Sequence, residues 1–271
     1  TLTNQAPTTA TYTVRDSKPT NVQVGSRFEE TDTRKMYHYN EQTSTFEDDF
    51  STDKSWVHLN SSTTLDTGNG YLTFTDPSSS IVYAYKNLQD SDALGAGNFP
   101  DTDFVIRAEV EKTNNPTSTG NGSQVEIVLT DSLATGWGNN QDQIGIFWNV
   151  DHVSSEGEFR AIGADNTNTY SSWSSATALV WNSGTWFIEI IKNGSSSVDV
   201  KIFPDNTYSG TATATATLSL SGMTFSALQY LQVRIFADSS RATTLYHIKN
   251  MYYYDGVTTV PTGNAWTEEG T

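Results

Sequence analysis

The chain has 271 residues, with 31 acidic side chains against 15 basic ones, a formal net charge of −16 and no cysteine. A field of that sign repels phosphate backbones and anionic lipid, which argues against nucleic acid and membrane surfaces as partners. Without a thiol there is neither a disulfide to staple the fold nor a thiolate to react, and no apolar run approaches the roughly 20 residues of a membrane span.

Residues 1–45 are polar and poor in aliphatic side chains. Within them, 24–30 and 35–39 are expected to pair as a hairpin around Thr31, Asp32, Thr33 and Arg34, with Asp32 accepting turn N–H bonds. The polar opening Thr1-Leu2-Thr3-Asn4 has no signal-peptide character, which leaves either a removed leader or a trimmed initiator Met. From 46 to 255 the pattern predicts strands over 71–75, 81–86, 103–111, 124–130, 143–150, 158–162, 185–192, 198–203, 215–220, 230–237 and 245–254. Clusters of Gly, Asn, Asp and Ser separate them, and Asn193-Gly194 reads as a hairpin turn. Phe104, Ile106, Ala108 and Val110 share one face while Arg107, Glu109 and Glu111 share the other, as in an antiparallel sheet with one wet side. Residues 256–271 read as a C-terminal tail. So many strands with no convincing helix predict an all-β, two-sheet antiparallel sandwich.

The order of these features resembles the concanavalin A-like lectin/glucanase superfamily, especially its laminin G-like members. The resemblance rests on an opening Asp49-Phe50 with Trp56 soon after, then Gly70-Tyr-Leu-Thr-Phe, a central strand pair, Trp186-Phe-Ile-Glu-Ile with its hairpin, and a closing Tyr246-His-Ile-Lys-Asn-Met-Tyr. It implies a jelly-roll sandwich over 46–255. A second resemblance lies in the arm, where Ser17-Lys-Pro-Thr-Asn-Val-Gln-Val-Gly-Ser-Arg-Phe-Glu-Glu-Thr-Asp-Thr-Arg-Lys-Met-Tyr-His-Tyr is similar to a segment recurrent in phage and other virus tail-fibre and virion proteins. Here Phe28 stands where Trp is commoner, and Arg34 where Gly often supplies a left-handed turn residue. This resemblance assigns Phe28, Asp32, Tyr37 and Tyr39 to assembly.

Hydrolases of the superfamily carry Glu-x-Asp-x-x-Glu on one inner strand, since retaining chemistry needs two carboxyls about 5–5.5 Å apart. The nearest stretch here is Glu126-Ile-Val128-Leu-Thr-Asp131, which has Val128 at the central acid, so glycan hydrolysis is not expected. The four histidines show no metal-binding spacing. Relatives often hold calcium between their first and last strands. Asp48, Asp49 and Asp255 are the candidate ligands for Ca2+ here, although Lys249 stands where an acid usually lies in the closing strand. Trp137, followed by Asn139 and Asn140, and Trp173 stand among small polar residues, where an indole face can meet sugar C–H groups and amides can meet hydroxyls. Trp56, Trp148, Trp181 and Trp186 sit in strand patterns and are expected in the core.

The sequence thus reads as a non-enzymatic virion structural protein: a surface fibre, turret, capsid decoration or tail subunit. Its arm would bind other virion subunits or copies of itself as a homo-oligomer, and its lectin-like domain would bind host-surface glycans at the virion surface. The alternatives are a secreted, extracellular bacterial carbohydrate-binding module or adhesin, and a glycan hydrolase or lyase with an unfamiliar site.

Overall fold

A computed structural model describes residues 27–29, 34–40, 44–58, 63–75, 81–113, 123–133, 141–150, 157–165, 172–173, 177–178, 184–236, 245–260 and 265–268. Among them there is no helix. The chain divides into two compact units, 1–43 with 261–271, and 44–260.

The smaller unit holds a three-stranded antiparallel sheet, in the order β1 (Arg27–Glu29), β2 (Met36–Asn40), β19 (Ala265–Glu268). The expected hairpin is present in its strands, with Phe28 opposite Tyr37 and their ring centroids 6.4 Å apart. Arg34 adopts φ +60°, so an arginine occupies the left-handed position that glycine fills at no steric cost, and its Nη1 donates to Glu29 Oε1 at 3.1 Å. Asp32 lies outside the described residues. The stretch read as a tail supplies β19, which pairs with β2 and sets Trp266 opposite Tyr39.

The larger unit is the expected two-sheet antiparallel jelly roll. In one sheet the order is β12 (Ser172–Trp173), β11 (Gly157–Ala164), β10 (Gln143–Val150), β9 (Ser123–Thr130), β17 (Tyr230–Phe236), β7 (Ile81–Asn87) and β4 (Val57–His58), with β13 (Thr177–Ala178) also on β11. In the other it is β16 (Ala214–Ser219), β15 (Ser197–Phe203), β14 (Gly184–Asn193), β8 (Phe104–Lys112), β18 (Leu245–Asp255), β6 (Tyr71–Thr75) and β5 (Thr63–Asp66), with β3 (Phe46–Asp48) also on β18. Predicted strands fall within one or two residues of those observed. The Asn193-Gly194 turn closes β14 onto β15 through a three-residue loop, with Gly194 at φ +54° and Ser196 N donating to Asn193 O at 3.0 Å.

Period-two alternation decides which side chains fill the space between the sheets. In β16, Ala214, Ala216 and Leu218 turn inward while Thr215, Thr217 and Ser219 are exposed. Phe104, Ile106, Ala108 and Val110 of β8 face Val125, Ile127 and Leu129 of β9 across one continuous core. Trp148 and Trp186, one from each sheet, meet edge to face at 6.3 Å. Trp56 is also buried, with its Nε1 donating to the buried Asp48 Oδ2 at 2.7 Å; Trp181 lies outside the described residues. One irregularity breaks the pairing of β18 with β8. Ile248 lies opposite Val110 and Met251 opposite Ala108, so Lys249 and Asn250 together span the single residue Glu109.

Lys112 ends β8 on the core side, opposite Gly184 and Tyr246, and burial pushes its ammonium down from the ordinary 10.5 to about 8. Between those values the unfolded chain holds a proton that the folded chain has released, so this residue makes stability rise with pH across that window. Lys112→Met is expected to remove that rise, read as the difference in urea midpoint between variant and parent from pH 8 to 10.5.

Candidate functional site

Alternation that sends Val125, Ile127 and Leu129 into the core sends Glu126, Val128 and Thr130 to the face turned away from the second sheet. Register then builds this face in rows. Arg160, Phe147, Glu126, Arg234 and Tyr83 form one; Ile162, Gly145, Val128, Gln232 and Tyr85 the next; Ala164, Gln143, Thr130, Tyr230 and Asn87 a third. The middle row requires its glycine: a Cβ on Gly145 would lie 2.1 Å from Ile127 O and 2.8 Å from Val128 Cα. Towards β11, Val128, Phe147 and Ile162 make an apolar patch around it.

The other side is a buried polar network centred on Arg234. Its Nη1 donates to Glu126 Oε2 and to Gln143 Oε1, both at 3.2 Å, and its Nε donates to Gln232 Oε1 at 2.8 Å. Gln232 passes the chain on to Thr130 Oγ1 at 3.0 Å, and Gln141 Nε2 donates to Gln143 Oε1 at 3.0 Å. Burial raises the Glu126 carboxyl above its ordinary value, and the adjacent guanidinium opposes that rise. Arg234 Nη2 and Gln141 Oε1 have no hydrogen-bond partner among the described residues. Beside the network, Tyr85 and Tyr230 pack edge to face at 5.5 Å.

Glu126, the acid nearest to a hydrolase motif, is therefore engaged by Arg234, and the neighbouring outward position on β9 holds the buried Val128. Asp131 lies past the end of β9, where its Oδ1 accepts from Asp142 N at 3.0 Å. No sequence motif marks the Glu126–Arg234 pair, because its members are 108 residues apart and meet only when β17 docks beside β9.

Trp137, Asn139 and Asn140 lie outside the described residues. The stems of their connection do not: Asp131 N donates to Asp142 O at 3.1 Å, at the end of the sheet that carries Gln141 and Gln143. The backbone of Trp173 pairs with Ile162, in the same register row as Gly145 and Gln232. The candidate calcium ligands are not gathered. Asp48 is buried and accepts from Phe50 N and Trp56 Nε1; Asp49 is exposed and accepts from Ser51; Asp255 accepts from Asp101 N and Tyr253 Oη. Among the described residues no three His, Asp or Glu side chains form a group that could hold a metal ion, so these residues do not fit Ca2+.

No family model matches the chain, and no curated protein matches it. Solved structures share its fold. The CBM2 module of the evolved Dit of Lactobacillus casei BL23 phage J-1 is 11% identical, with 81% of this chain and 99% of that one covered at a TM-score of 0.51. The legume lectin-like domain from Entamoeba histolytica is 12% identical over 79% and 99%, at 0.50. The carbohydrate recognition domain of Emp47p is 13% identical over 80% and 98%, at 0.53. The sandwich thus has the lectin-like jelly-roll fold expected from the sequence.

Removing one member of the Arg234–Glu126 pair leaves the other charge buried. Arg234→Met is expected to cost about 3–5 kcal/mol in urea unfolding, and adding Glu126→Met to recover much of that loss.

Proposed function

We propose that this is a non-enzymatic virion structural protein, a surface fibre, turret, capsid decoration or tail subunit, whose lectin-like domain attaches to host-surface glycans. The observation that carries the binding half is the lectin-like sandwich itself, whose outward carboxylate Glu126 is tied to Arg234 rather than left to do acid chemistry. The CBM2 module of a phage Dit, which has the same fold, supports the virion half. So does the arm, in which a segment similar to virion proteins forms a hairpin with Phe28 against Tyr37. In this reading Trp137 with Asn139 and Asn140, and Trp173, stack on and hydrogen-bond the sugar. Phe28, Asp32, Tyr37 and Tyr39 engage other virion subunits or further copies of the chain. A secreted bacterial carbohydrate-binding module or adhesin is the second reading, since the same fold occurs in carbohydrate recognition domains outside phages.

Single-site glycan binding is expected to be weak, in the millimolar to micromolar range of about −4 to −8 kcal/mol, and useful through many copies. On a glycan array, Trp137→Ala and Trp173→Ala should each reduce binding while leaving the thermal midpoint nearly unchanged. No reducing sugar should be released from any polysaccharide; its accumulation with pure protein would overturn the non-enzymatic reading. Deleting residues 1–45 should leave a folded sandwich that no longer enters its assembly, scored by co-sedimentation with particles.

A further inference from the structure

We infer that the opposite sheet carries a second ligand pocket, built around the irregularity in β18 and suited to one neutral, hydroxyl-rich saccharide unit. It stands on its own residues and does not depend on Trp137 or Trp173. At the bulge, two consecutive residues leave the regular alternation of the strand, which is how bulges re-aim side chains towards a site. Both of them, Lys249 and Asn250, line an open pocket of about 400 Å³ together with Asp49, Ser51, Tyr71 and the turn 67–70. That volume lies near the lower end of small-molecule sites, which run from about 300 to 1,000 Å³.

The lining is held in place before any ligand arrives. Asp49 Oδ1 accepts from Ser51 N at 3.0 Å and Ser51 Oγ at 2.7 Å, which keeps its carboxyl below the ordinary value and ionised as an acceptor. Asn69 Nδ2 donates to Asp66 Oδ2 at 2.8 Å, and Asn250 Nδ2 donates to Glu109 Oε2 at 2.6 Å. Each amide therefore keeps its carbonyl oxygen for another donor. The Tyr71 ring is stacked on His247 at 4.5 Å with an interplanar angle of 14°. Gly70, at φ +69°, brings the turn so close to Asp49 that a Cβ would stand 2.9 Å from Asp49 O, so the pocket wall is backbone there.

The charges select the ligand class. Lys249 Nζ is 3.2 Å from Glu111 Oε2 and 3.9 Å from Glu109 Oε1, so its charge is already balanced and offers little to an anion. The ionised Asp49 and the net charge of −16 repel anions further. A metal would need clustered carboxylates, and among the described residues no such group exists. What remains is a set of hydroxyl-matching acceptors and donors, which is the chemistry of a neutral sugar; the Tyr71 ring serves as wall, with His247 stacked on it and Lys249 Nζ over it at 5.4 Å from the centroid.

The test follows backbone amides of the 15N-labelled full chain during titration with D-glucose, D-mannose, D-galactose and N-acetyl-D-glucosamine, and separately with N-acetylneuraminic acid and inorganic phosphate. At least one neutral sugar should give saturable shifts at Gly68, Asn69, Tyr71 and Asn250, with a millimolar Kd. Asn250→Ala and Asp49→Asn should each weaken that binding about tenfold at an unchanged thermal midpoint, while the Trp137→Ala, Trp173→Ala double variant should retain it. The inference is overturned if no neutral sugar shifts these amides up to about 100 mM, beyond which a site has no meaningful affinity. It is equally overturned if the two anions bind there instead, or if the shifts survive both pocket variants. Glycan binding that depends on Trp137 and Trp173 would stand through any of these failures.

Discussion

A chain with no cysteine holds two large sheets together only through what their facing side chains bury. That constraint organises the molecule. Every long strand must give one of its two faces to the common core, as β8, β9 and β16 do with strict alternation, and the aromatic contact of Trp148 with Trp186 sits where the layers meet. What is left for chemistry is the opposite face of each sheet, the turns, and the few places where alternation is broken. The two outer faces have been used differently. One carries a buried network in which Arg234 is bonded to Glu126, Gln143 and Gln232 while its Nη2 and Gln141 Oε1 keep no partner among the described residues, and the other is open at the bulge of β18.

Legibility in the sequence follows the same division. Strands whose alternation runs for five residues or more announce themselves, so 71–75 and 143–150 were readable to the residue. Strands such as β4, β12 and β13, each two residues long, carry no period to detect and exist because a neighbouring long strand offers them hydrogen bonds. β19 is a subtler case. Ala265–Glu268 looks like part of a tail, and only β2, far away in sequence, makes it a strand. Arg34 shows the reverse, a position whose left-handed backbone was foreseeable from the turn pattern even though the residue there is not the one that favours it.

Site residues were harder to foresee for a related reason. A tryptophan among small polar residues is visible in a sequence, and so is the missing central acid at Val128. A network such as Arg234 with Glu126 and Gln143 requires the strand order β10–β9–β17, which no local pattern encodes. The bulge is likewise a property of two strands at once: Lys249 and Asn250 look like ordinary members of a closing strand until Glu109 is set opposite both of them. Asp48, Asp49 and Asp255 accept hydrogen bonds at separate places, from Trp56 Nε1, Ser51 Oγ and Asp101 N, and the last of these partners is again distant in the chain.

The pairing of β2 with β19 joins segments that lie on either side of the entire sandwich in the chain. In an unfolded polypeptide, bringing those two segments together carries the closure entropy of everything between them, and a ladder of four residue pairs repays little of it. Once the sandwich has collapsed, the intervening chain is compact and that entropic cost has already been met by its core. The entropy of closure therefore differs within the small sheet: β1 and β2 are joined by a short connection, whereas the third strand costs least to add once the jelly roll is compact. A chain whose sandwich has not formed would leave the arm one strand short.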